Sequence, residues 1–445
     1  MKSDVAMAIL ASVLAAHGQS ADRAPLGSPE ELGLLDVTRP PYSADPTGRR
    51  DSTAAIQLAV NDARDHWKAC FFPAGTYLIS DTLSCEHEVE KLERPRHTDV
   101  KTQHYWDKPH RIVMLGSTKG KRPVLRLAPD AVGFDDPDVP RKAVWIWAQT
   151  RDDAPGREEP EWGKEQPNIS FRHLFRGIDI DIRGHAGAIG IRHSGSQGSS
   201  LQDCTIRAEG AYAGMSNCCG QGGGTHNVEV VGGRYGITIN RNSRFPLLNA
   251  CVFREQTEAC VTYTMPSQMP TLMVGCLLQP KGTTAIDLHH NAPHAGISLV
   301  DCVVDLPGKG MVCATRGQAN VFLEDTVVRG ANGVRTGGPA VPAGNGWLTI
   351  DRYSCTRQDG VHLVNGRKQG EERVSWRRTG AAPSLDAIRR RHWQRLPSFE
   401  DEGVVSVTSF GARGDGKTDD SEAFRKAIAV ADTIFVPRGK YRVSG

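Results

Sequence analysis

The chain has 445 residues, which is enough for two or three ordinary domains or for one long repeat domain. Its formal net charge is +3, so the composition gives no reason to expect a nucleic-acid partner. Aromatic residues make up only 6% of the chain, whereas Gly (47) and Pro (26) are frequent, and this favours short strands and many turns over long helices.

Residues 1–21 have the pattern of an export signal. Lys2 supplies a positive charge, residues 5–16 form a short apolar run, and small residues follow. An ordinary N-terminal helix is the alternative. No later segment reaches the ~20 apolar residues of a membrane span. We therefore predict a secreted or periplasmic protein without a membrane span.

One motif occurs twice, near the start of the chain and near its end. Asp51 of the first copy aligns with Asp419 of the second, and Gly75 aligns with Gly439. In each copy a residue that can cap a helix precedes a helical apolar pattern, and a Pro-x-Gly turn leads into a strand. The first strand is predicted over residues 76–79. The first helix is predicted to cover the end of a core with Ala55, Ile56, Ala59, Val60 and Ala63.

Between the two copies, apolar residues recur with a period of roughly two dozen residues. Alternation within each repeat predicts two short strands per rung. Because one rung cannot bury its apolar side alone, we predict that the rungs stack into a parallel β-solenoid. Three inward columns are predicted: Ile180, Cys204, Val228, Cys251, Cys276, Cys302 and Thr326; Ile182, Ile206, Val230, Phe253, Leu278, Val304 and Val328; and Ile189, Ile237, Val261, Ile286, Val312 and Val334.

Four cysteines fall in the first of these columns. Parallel neighbours in register fit disulfide geometry poorly, and a small apolar thiol suits a buried stack. We therefore predict that Cys204, Cys251, Cys276 and Cys302 are stacked free thiols.

The repeated motif, with its Gly/Asp-rich turn and Pro-x-Gly-x-Tyr strand, resembles the N-terminal cap of the pectate-lyase-like β-helix superfamily. Its occurrence twice is similar to glycoside hydrolase family 55, whose members carry two tandem right-handed β-helices. The stretches Ser196–Asp203, Gly222–Gly224 and Gly232–Gly236 resemble a run of that family. The resemblance implies inverting hydrolysis of β-1,3-glucan from the chain end, without a metal. The implied general acid is a Glu of the second helix, which we do not place in this sequence.

The predicted fold is all-β. A right-handed parallel β-helix with an N-terminal cap helix spans residues 37–370, and a linker spans residues 371–402. Residues 403–445 are predicted to start a second, truncated β-helix, and we expect them to be poorly packed or to dock irregularly on the first solenoid. The linker contains Arg389, Arg390 and Arg391 beside Trp393; this cluster indicates either a packed linker or a site for an acidic ligand.

Three residues are candidates for catalysis. Gln197 and Ser200 could orient a water molecule, although they could equally satisfy the backbone of a turn. Glu255, with Glu258, could supply a pair of carboxylates, although such residues are more often solvated. The position of the general acid stays unknown.

Three further residues are candidates for substrate binding. Tyr235 could stack on a sugar ring. Arg234 and Arg254, together with Arg241 and Arg244, could bind the carboxylates of uronates, which would favour a pectin-like substrate; ordinary surface charge is the alternative.

Metal binding is not expected. Asp287, His289, His290 and His294 form the only cluster of histidines, but no Glu stands between the two adjacent histidines as a metalloprotease pattern requires. No cofactor is predicted, and calcium would be needed only by a lyase.

These observations predict a secreted, monomeric carbohydrate-active protein. The leading interpretation is a glycoside hydrolase acting on a polysaccharide such as β-1,3-glucan. The first alternative is a pectin or rhamnogalacturonan lyase or hydrolase with the same fold. The second is a non-catalytic carbohydrate-binding or adhesive β-solenoid.

Overall fold

The computed structural model describes residues 31–89, 91–94, 103–106, 111–150, 165, 167, 170–220, 222–240, 243, 245–265, 270–288, 296–316, 319–341, 346–355, 362–364, 367–369 and 372–444. The predicted export signal lies outside the described residues. The chain forms two compact units. Among the described residues, the larger comprises Leu34–Leu396 and the smaller comprises residues 31–33 and 397–444.

The larger unit is a right-handed parallel β-helix, as predicted. Each turn of the chain contributes a strand to each of three parallel ladders, so the prediction of two strands per rung is wrong; the ladders enclose one apolar core. Every strand inside a ladder pairs with the preceding and the following turn, so its backbone groups are satisfied by its neighbours.

The ladders are assembled from the following strands, some of which turn a corner and serve two or three ladders. Ladder 1 contains Leu34–Asp36, Ala69–Phe72, Val113–Gly116, Leu174–Arg176, Ser200–Arg207, Gly224–Val231, Leu247–Asn249, Thr271–Val274, Gly296–Val300 and Asn320–Arg335. Ladder 2 contains Thr47–Asp51, Thr76–Ile79, Val124–Leu127, Asp179–Asp181, Val252–Arg254, Leu277–Gln279 and Val303–Ala314, with the later parts of Ser200–Arg207, Gly224–Val231 and Asn320–Arg335. Ladder 3 contains Leu83–Val89, Arg141–Thr150, Ala188–His193, Ala213–Ser216, Tyr235–Ile239, Ala259–Tyr263 and Thr284–Asp287, with the ends of Val303–Ala314 and Asn320–Arg335.

From Gly177 onward, the corner between ladders 1 and 2 is one residue wide and has a left-handed backbone at each turn. Its φ angles lie between 48° and 71°. Asn and Asp tolerate this conformation because their short polar side chains can hydrogen-bond locally. Asn227 Nδ2 donates to Asp203 Oδ1 at 2.8 Å and so links two neighbouring turns. The corner consists of Gly177, Asp203, Asn227, Ala250, Gly275, Asp301 and Asp325.

The predicted columns are buried, but their register differs at some turns. Ile180 pairs with Ile206 rather than with Cys204, so Ile180 takes the place predicted for Ile182. In ladder 3, Ile189 pairs with Ala213, which is not a member of the predicted column. The rungs differ in length because loops between ladders contain extra residues. A count with a constant period therefore assigns some residues to the wrong position in a column. Val312 is likewise displaced by one residue, since Ile286 pairs with Cys313.

The cysteine prediction is confirmed. All eleven cysteines are free and buried. Cys302 Sγ lies 3.4 Å from the backbone nitrogen of Cys276, as expected for stacked neighbours. Burial raises the pKa of the Cys204 thiol to about 12, so this thiol stays protonated at neutral pH.

The first end of the β-helix is covered as the sequence predicts. The helix Thr53–Asp65 buries Ile56, Ala59, Val60 and Ala63 against the core, and the strand Thr76–Ile79 follows. At the other end the antiparallel strands Trp347–Cys355 and Glu372–Thr379 continue the sheet. The predicted linker therefore begins inside the sheet. Two hairpins lie apart from it: Lys91–Arg94 with Gln103–Trp106, and His362–Val364 with Arg367–Gln369.

The smaller unit forms a cap with a small core, but Ile428 and Val443 stay largely exposed, so the expectation that residues 403–445 are poorly packed holds for this apolar side of the cap. It contains the 3₁₀ helix Val407–Phe410 and the helix Ser421–Val430. Two pairs of parallel strands form beside them: Val405–Ser406 with Ile434–Phe435, and Asp415–Asp419 with Lys440–Arg442. Its core consists of Val405, Val407, Ala412, Ala423 and Ala427. In neither unit is any helix of the described chain both long and apolar enough for a bilayer.

Candidate functional site

A cleft of about 800 Å³ lies on the outer side of ladder 1. Alternation along the strands places two columns of residues on this side. The first column is Leu174, Ser200, Gly224, Leu247, Leu272 and Ser298. The second is Arg176, Gln202, His226, Asn249, Val274 and Val300. The cleft lies over the first column and reaches Gln202 and His226 of the second.

Residues 384–396, here called the strap, cross from ladder 2 to ladder 1. The strap begins with the helix Leu385–His392, whose first turn is capped by Ser384 Oγ accepting from Ala387 N at 3.2 Å. Ile388 is buried against Val303 and Val327 on the outer side of ladder 2. This apolar contact anchors the strap on the β-helix.

The end of the strap lies over the second column of ladder 1. Trp393 stacks on His226, with ring centroids 4.8 Å apart and planes 13° from parallel. Trp393 Nε1 donates to Asp203 Oδ1 at 2.8 Å. Arg176 Nη2 donates to the carbonyl oxygen of Leu396 at 2.8 Å. The strap thus packs on the second column of ladder 1 and contacts the cleft residue His226 through Trp393.

The basic cluster of the strap is engaged by carboxylates of the β-helix. Arg391 Nη2 and His392 Nε2 lie 3.0 and 2.6 Å from the two carboxylate oxygens of Asp301. Arg389 Nη2 lies 4.0 Å from Glu229 Oε2. These contacts support the interpretation of the cluster as part of a packed linker.

The cleft itself is uncharged over its described lining. Ser200 Oγ donates to the carbonyl oxygen of Gly224 at 3.0 Å and accepts from Gln202 Nε2 at 2.8 Å. Phe245 is 44% exposed and adds an apolar surface. None of the described lining residues carries a carboxylate, an ammonium or a guanidinium group. The lining is Gly198, Ser200, Gln202, Gly222, Gly223, His226, Phe245, Pro246, Leu247, Pro270, Thr271, Leu272 and Ser298.

One of the candidate catalytic residues, Ser200, lines this cleft, and a second, Gln197, precedes the lining residue Gly198. Ser200 donates a hydrogen bond from its hydroxyl group to the carbonyl oxygen of Gly224. Gln197 is exposed on the turn before it, and its carbonyl oxygen accepts from Arg172 N at 3.0 Å. The Ser200 side chain therefore makes a backbone contact of the kind that the sequence left as an alternative, whereas the contact of Gln197 is made by its backbone. A role of either side chain in orienting water stays a prediction.

Tyr235 and Arg234 lie elsewhere, at the corner between ladders 2 and 3. The Arg234 guanidinium lies 5.7 Å from the ring centre of Tyr212 and 5.6 Å from that of Tyr235. The two tyrosine rings meet edge to face at 5.6 Å. Burial raises the pKa of Tyr235, so its hydroxyl stays neutral.

Arg254 and Glu255 follow the outer side of ladder 2. Arg254 Nε lies 2.7 Å from Glu229 Oε1, and its Nη1 lies 3.1 Å from Glu255 Oε1. Lys281 Nζ lies 3.3 Å from the other oxygen of Glu255. Glu258 is exposed nearby. The Glu255 carboxylate is thus balanced by two cations. Arg241, Arg244, His289, His290 and His294 lie outside the described residues.

A second charged group on ladder 2 was not predicted. Asp179 Oδ1 lies 2.9 Å from Arg122 Nη2, and Asp181 Oδ2 lies 2.7 Å from Arg183 Nη2 and 3.5 Å from Arg126 Nε. Burial alone would raise the pKa of Asp181, but hydrogen bonds from Arg183 hold it below its usual value. The Asp-Ile-Asp alternation in a strand was the available signal.

Metal ligands do not converge in the described part of the chain. Among residues 31–444 outside the gaps given above, no group of three or more His, Cys, Asp or Glu side chains is placed to hold a metal ion.

Comparison with known proteins identifies relatives of the whole fold. Residues 40–269 and 404–445 match the sequence model of the family described as Rhamnogalacturonase A/epimerase, pectate lyase-like. The non-secreted LysM effector LysM19 of Penicillium expansum is 23% identical over 435 residues, covering 90% of this chain and 31% of its own length. The chain thus spans about a third of that relative.

Shorter and structural matches add to this. Alginate lyase 7 of Azotobacter vinelandii is 51% identical over 45 residues, which are 9% of this chain and 5% of that protein. The crystal structure of the phiAB6 tailspike in complex with oligosaccharides of an Acinetobacter baumannii surface polysaccharide aligns over 75% of this chain and 57% of its own, with a TM-score of 0.40 and 11% identity.

Proposed function

Because the chain belongs to the Rhamnogalacturonase A/epimerase, pectate lyase-like family, we propose that it is a carbohydrate-active protein whose cleft on ladder 1 binds a segment of a polysaccharide. The observation that supports this most directly is the lining of the cleft. Hydroxyl, amide and imidazole groups stand beside the exposed apolar surfaces of Phe245 and Leu272. The hydroxyl groups of a sugar can hydrogen-bond to the polar groups, and its C–H face can pack on the apolar surfaces. Ligand sites commonly combine apolar surface with a few polar groups in this way.

The absence of charge in the described lining favours a neutral polysaccharide. Uronate carboxylates are bound well by arginine, whose guanidinium group can donate two parallel hydrogen bonds to one carboxylate. Arg254, the candidate for that role, is paired with Glu229 and Glu255 on ladder 2, and Arg234 covers two tyrosine rings. We therefore prefer a β-1,3-glucan, the substrate that the resemblance to glycoside hydrolase family 55 implies, over a pectin-type chain.

Hydrolysis is the proposed reaction, and its catalytic groups are not assigned. Inversion needs an acid and a base about 6.5–9.5 Å apart. The described lining of the cleft offers no carboxylate, and Glu255 lies on another ladder with two cations beside it. This observation favours a second candidate function, a carbohydrate-binding solenoid without turnover. A calcium-dependent lyase acting on uronates is the third. Residues 1–21 support export.

The test separates binding from turnover. Affinity electrophoresis and calorimetry with laminarin, polygalacturonate and rhamnogalacturonan measure binding. Reducing-sugar release and absorbance of unsaturated uronates measure turnover, with and without a chelator. We expect laminarin to bind and glucose to be released regardless of the chelator. Binding without release selects the second candidate. Unsaturated products that require calcium overturn the glucan proposal.

Phe245→Ala locates the site. Loss of its apolar surface should weaken laminarin binding about fivefold, or ~1 kcal/mol. Val139 is 66% exposed and does not line the cleft, so Val139→Ala is the matched control and should leave the affinity unchanged. Equal affinities of both variants and the parent protein would place the binding site elsewhere.

A further inference from the structure

The hydrogen-bond partners of His226 determine which of its ring nitrogens carries the proton. Asn249 Nδ2 lies 2.9 Å from the carbonyl oxygen of His392 in the strap. Because a carbonyl can only accept, this atom is the amide NH₂ group. The same Nδ2 lies 3.3 Å from His226 Nδ1. Nδ1 must therefore accept, and a neutral imidazole then carries its proton on Nε2.

The protonated nitrogen lies at the cleft. A Cβ atom placed on Gly224 would stand 2.8 Å from His226 Nε2 and 3.1 Å from its Cε1, so the ring edge lies over Gly224. His226 lines the cleft, as does Gly223, which precedes Gly224. Only glycine leaves room for the imidazole here. No acceptor for Nε2 is found among the described residues.

The charge state agrees with this geometry. Burial lowers the pKa of His226 more than the nearby carboxylate of Asp203 raises it. The imidazole is therefore neutral at pH 7, with one donor and one acceptor nitrogen. Trp393 covers one face of the ring and fixes its plane.

Building on the proposed glycan-binding function of the cleft, we propose that His226 Nε2–H is a fixed hydrogen-bond donor for an oxygen atom of a bound neutral sugar, and that the strap sets this tautomer through Asn249. His226 is then a binding residue, and Asn249 is a positioning residue. The strap in turn is held in place where Asp301 engages His392 and Asp203 engages Trp393.

The tautomer can be measured without any glycan. The full-length protein is labelled with ¹⁵N-histidine, and long-range ¹H–¹⁵N spectra distinguish protonated from bare ring nitrogens. The chain has 15 histidines, so the spectrum of His226→Gln identifies the resonances of His226 by their loss. We expect Nε2–H as the dominant form at pH 7. A dominant Nδ1–H form overturns the proposal.

The role of the strap is tested by Asn249→Ala. Without the amide donor both tautomers should become populated. If they are equally populated, the affinity for laminarin should fall about twofold. Gln279→Ala is the matched control, because it removes another outward amide bond, from Nε2 to Asp305 Oδ2 at 2.9 Å on ladder 2. An unchanged tautomer in Asn249→Ala would show that the strap does not set it.

The donor is tested by two substitutions of His226 itself. His226→Phe keeps a ring against Trp393 but has no donor, and we expect laminarin affinity to fall about tenfold. His226→Gln keeps an N–H group and should retain more affinity than His226→Phe. Equal affinity of His226→Phe and the parent protein overturns the donor role while leaving the proposed function intact. If the parent protein binds none of the three polysaccharides, both proposals fail together.

Discussion

The repeated motif allows two regions of one chain to be compared, the cap at residues 44–80 and the cap at residues 412–444. Their polar contacts are nearly the same. Asp51 accepts from the backbone and hydroxyl of Thr53 and from Ser80 Oγ; Asp419 accepts likewise from Ser421 and Ser444. A tyrosine hydroxyl in each copy donates to the carbonyl of the proline four residues earlier, at 2.8 and 2.9 Å.

The apolar residues of the two caps differ in burial. Val60 and Ile79 of the first cap are 2% and 0% exposed. Their counterparts in the alignment, Ile428 and Val443, are 62% and 59% exposed. In the first cap, following turns of the β-helix stack on these positions; the strand Thr76–Ile79 pairs with Val124–Leu127.

The comparison separates two sources of structure. The turns and helix starts form in both caps because their hydrogen bonds connect residues close in sequence. Burial of the apolar side comes only from a neighbouring rung, as expected for a repeat whose units stabilise each other. The motif therefore specifies a shape locally, while most of its stability is supplied by stacking.

The largest expected difference concerns equivalent apolar positions. Ile79→Ala should destabilise the larger unit by about 2–5 kcal/mol, because it leaves a cavity in the core. Val443→Ala should change stability by less than about 0.5 kcal/mol, because Val443 is mostly solvated. All eight tryptophans lie between residues 67 and 393, so their fluorescence in urea follows the larger unit, and circular dichroism follows both. Similar losses in the two variants would contradict the comparison.

A second difference concerns mild acid. Burial lowers the pKa of His193 to about 4, and the ring is fully enclosed in the β-helix. The unfolded chain, with a pKa near 6.5, binds more protons in this range. Stability of the larger unit should therefore be complete above pH 6.5 and decline by about 3 kcal/mol as the pH falls to 4.

Residues 397–445 contain no histidine, so the second cap should not share this decline. His193→Gln should reduce the slope of stability against pH for the larger unit, as measured by urea titrations at several pH values. A slope unchanged by this substitution would assign the acid sensitivity to another group.

The smallest expected effect concerns one carboxyl group in each cap, at positions that the alignment does not pair. Hydrogen bonds from Thr47 lower the pKa of Asp45 to about 2, and hydrogen bonds from Thr418 and Lys417 lower that of Asp415 to about 2. Both groups bind fewer protons when folded. Their contribution is present above pH 4 and is lost as the pH falls towards 2. NMR titration of the two carboxyl groups should give similarly low midpoints. A normal midpoint for either carboxyl group would show that the hydrogen bonds of its turn do not stabilise the ionised form.

Local patterns predicted most of the fold. The cap helix, the strand Thr76–Ile79 and the stacked thiols follow from residue types at short, regular spacing. Register was predicted less well, because insertions between ladders shift a periodic count without leaving a local mark. Ile180 is the example, since it occupies the column assigned to Ile182.

The cleft could not be predicted in the same way. One of its lining residues, His226, is stacked against Trp393, which donates to Asp203, 190 positions earlier in the chain. Ser200 was found through the family resemblance, whereas His226 has no local signal: its donor is set by Asn249 and by the space above Gly224. Such contacts depend on the stacking of distant segments, and no short pattern encodes them.

The left-handed corner has a consequence beyond turning the chain. Residues that tolerate this backbone are mostly Gly, Asn and Asp, so four of the seven corner positions carry short polar groups, separated by multiples of one strand spacing, ~4.8 Å. The corner therefore presents polar side chains at fixed distances along the β-helix. Asp203 and Asp301 belong to different turns of the β-helix, and they accept hydrogen bonds from Trp393 and Arg391 at the two ends of the Arg391–Trp393 segment. A segment whose hydrogen-bond donors have the same spacing can bind along this corner. The residues that the left-handed backbone requires therefore also determine where the strap packs on the β-helix.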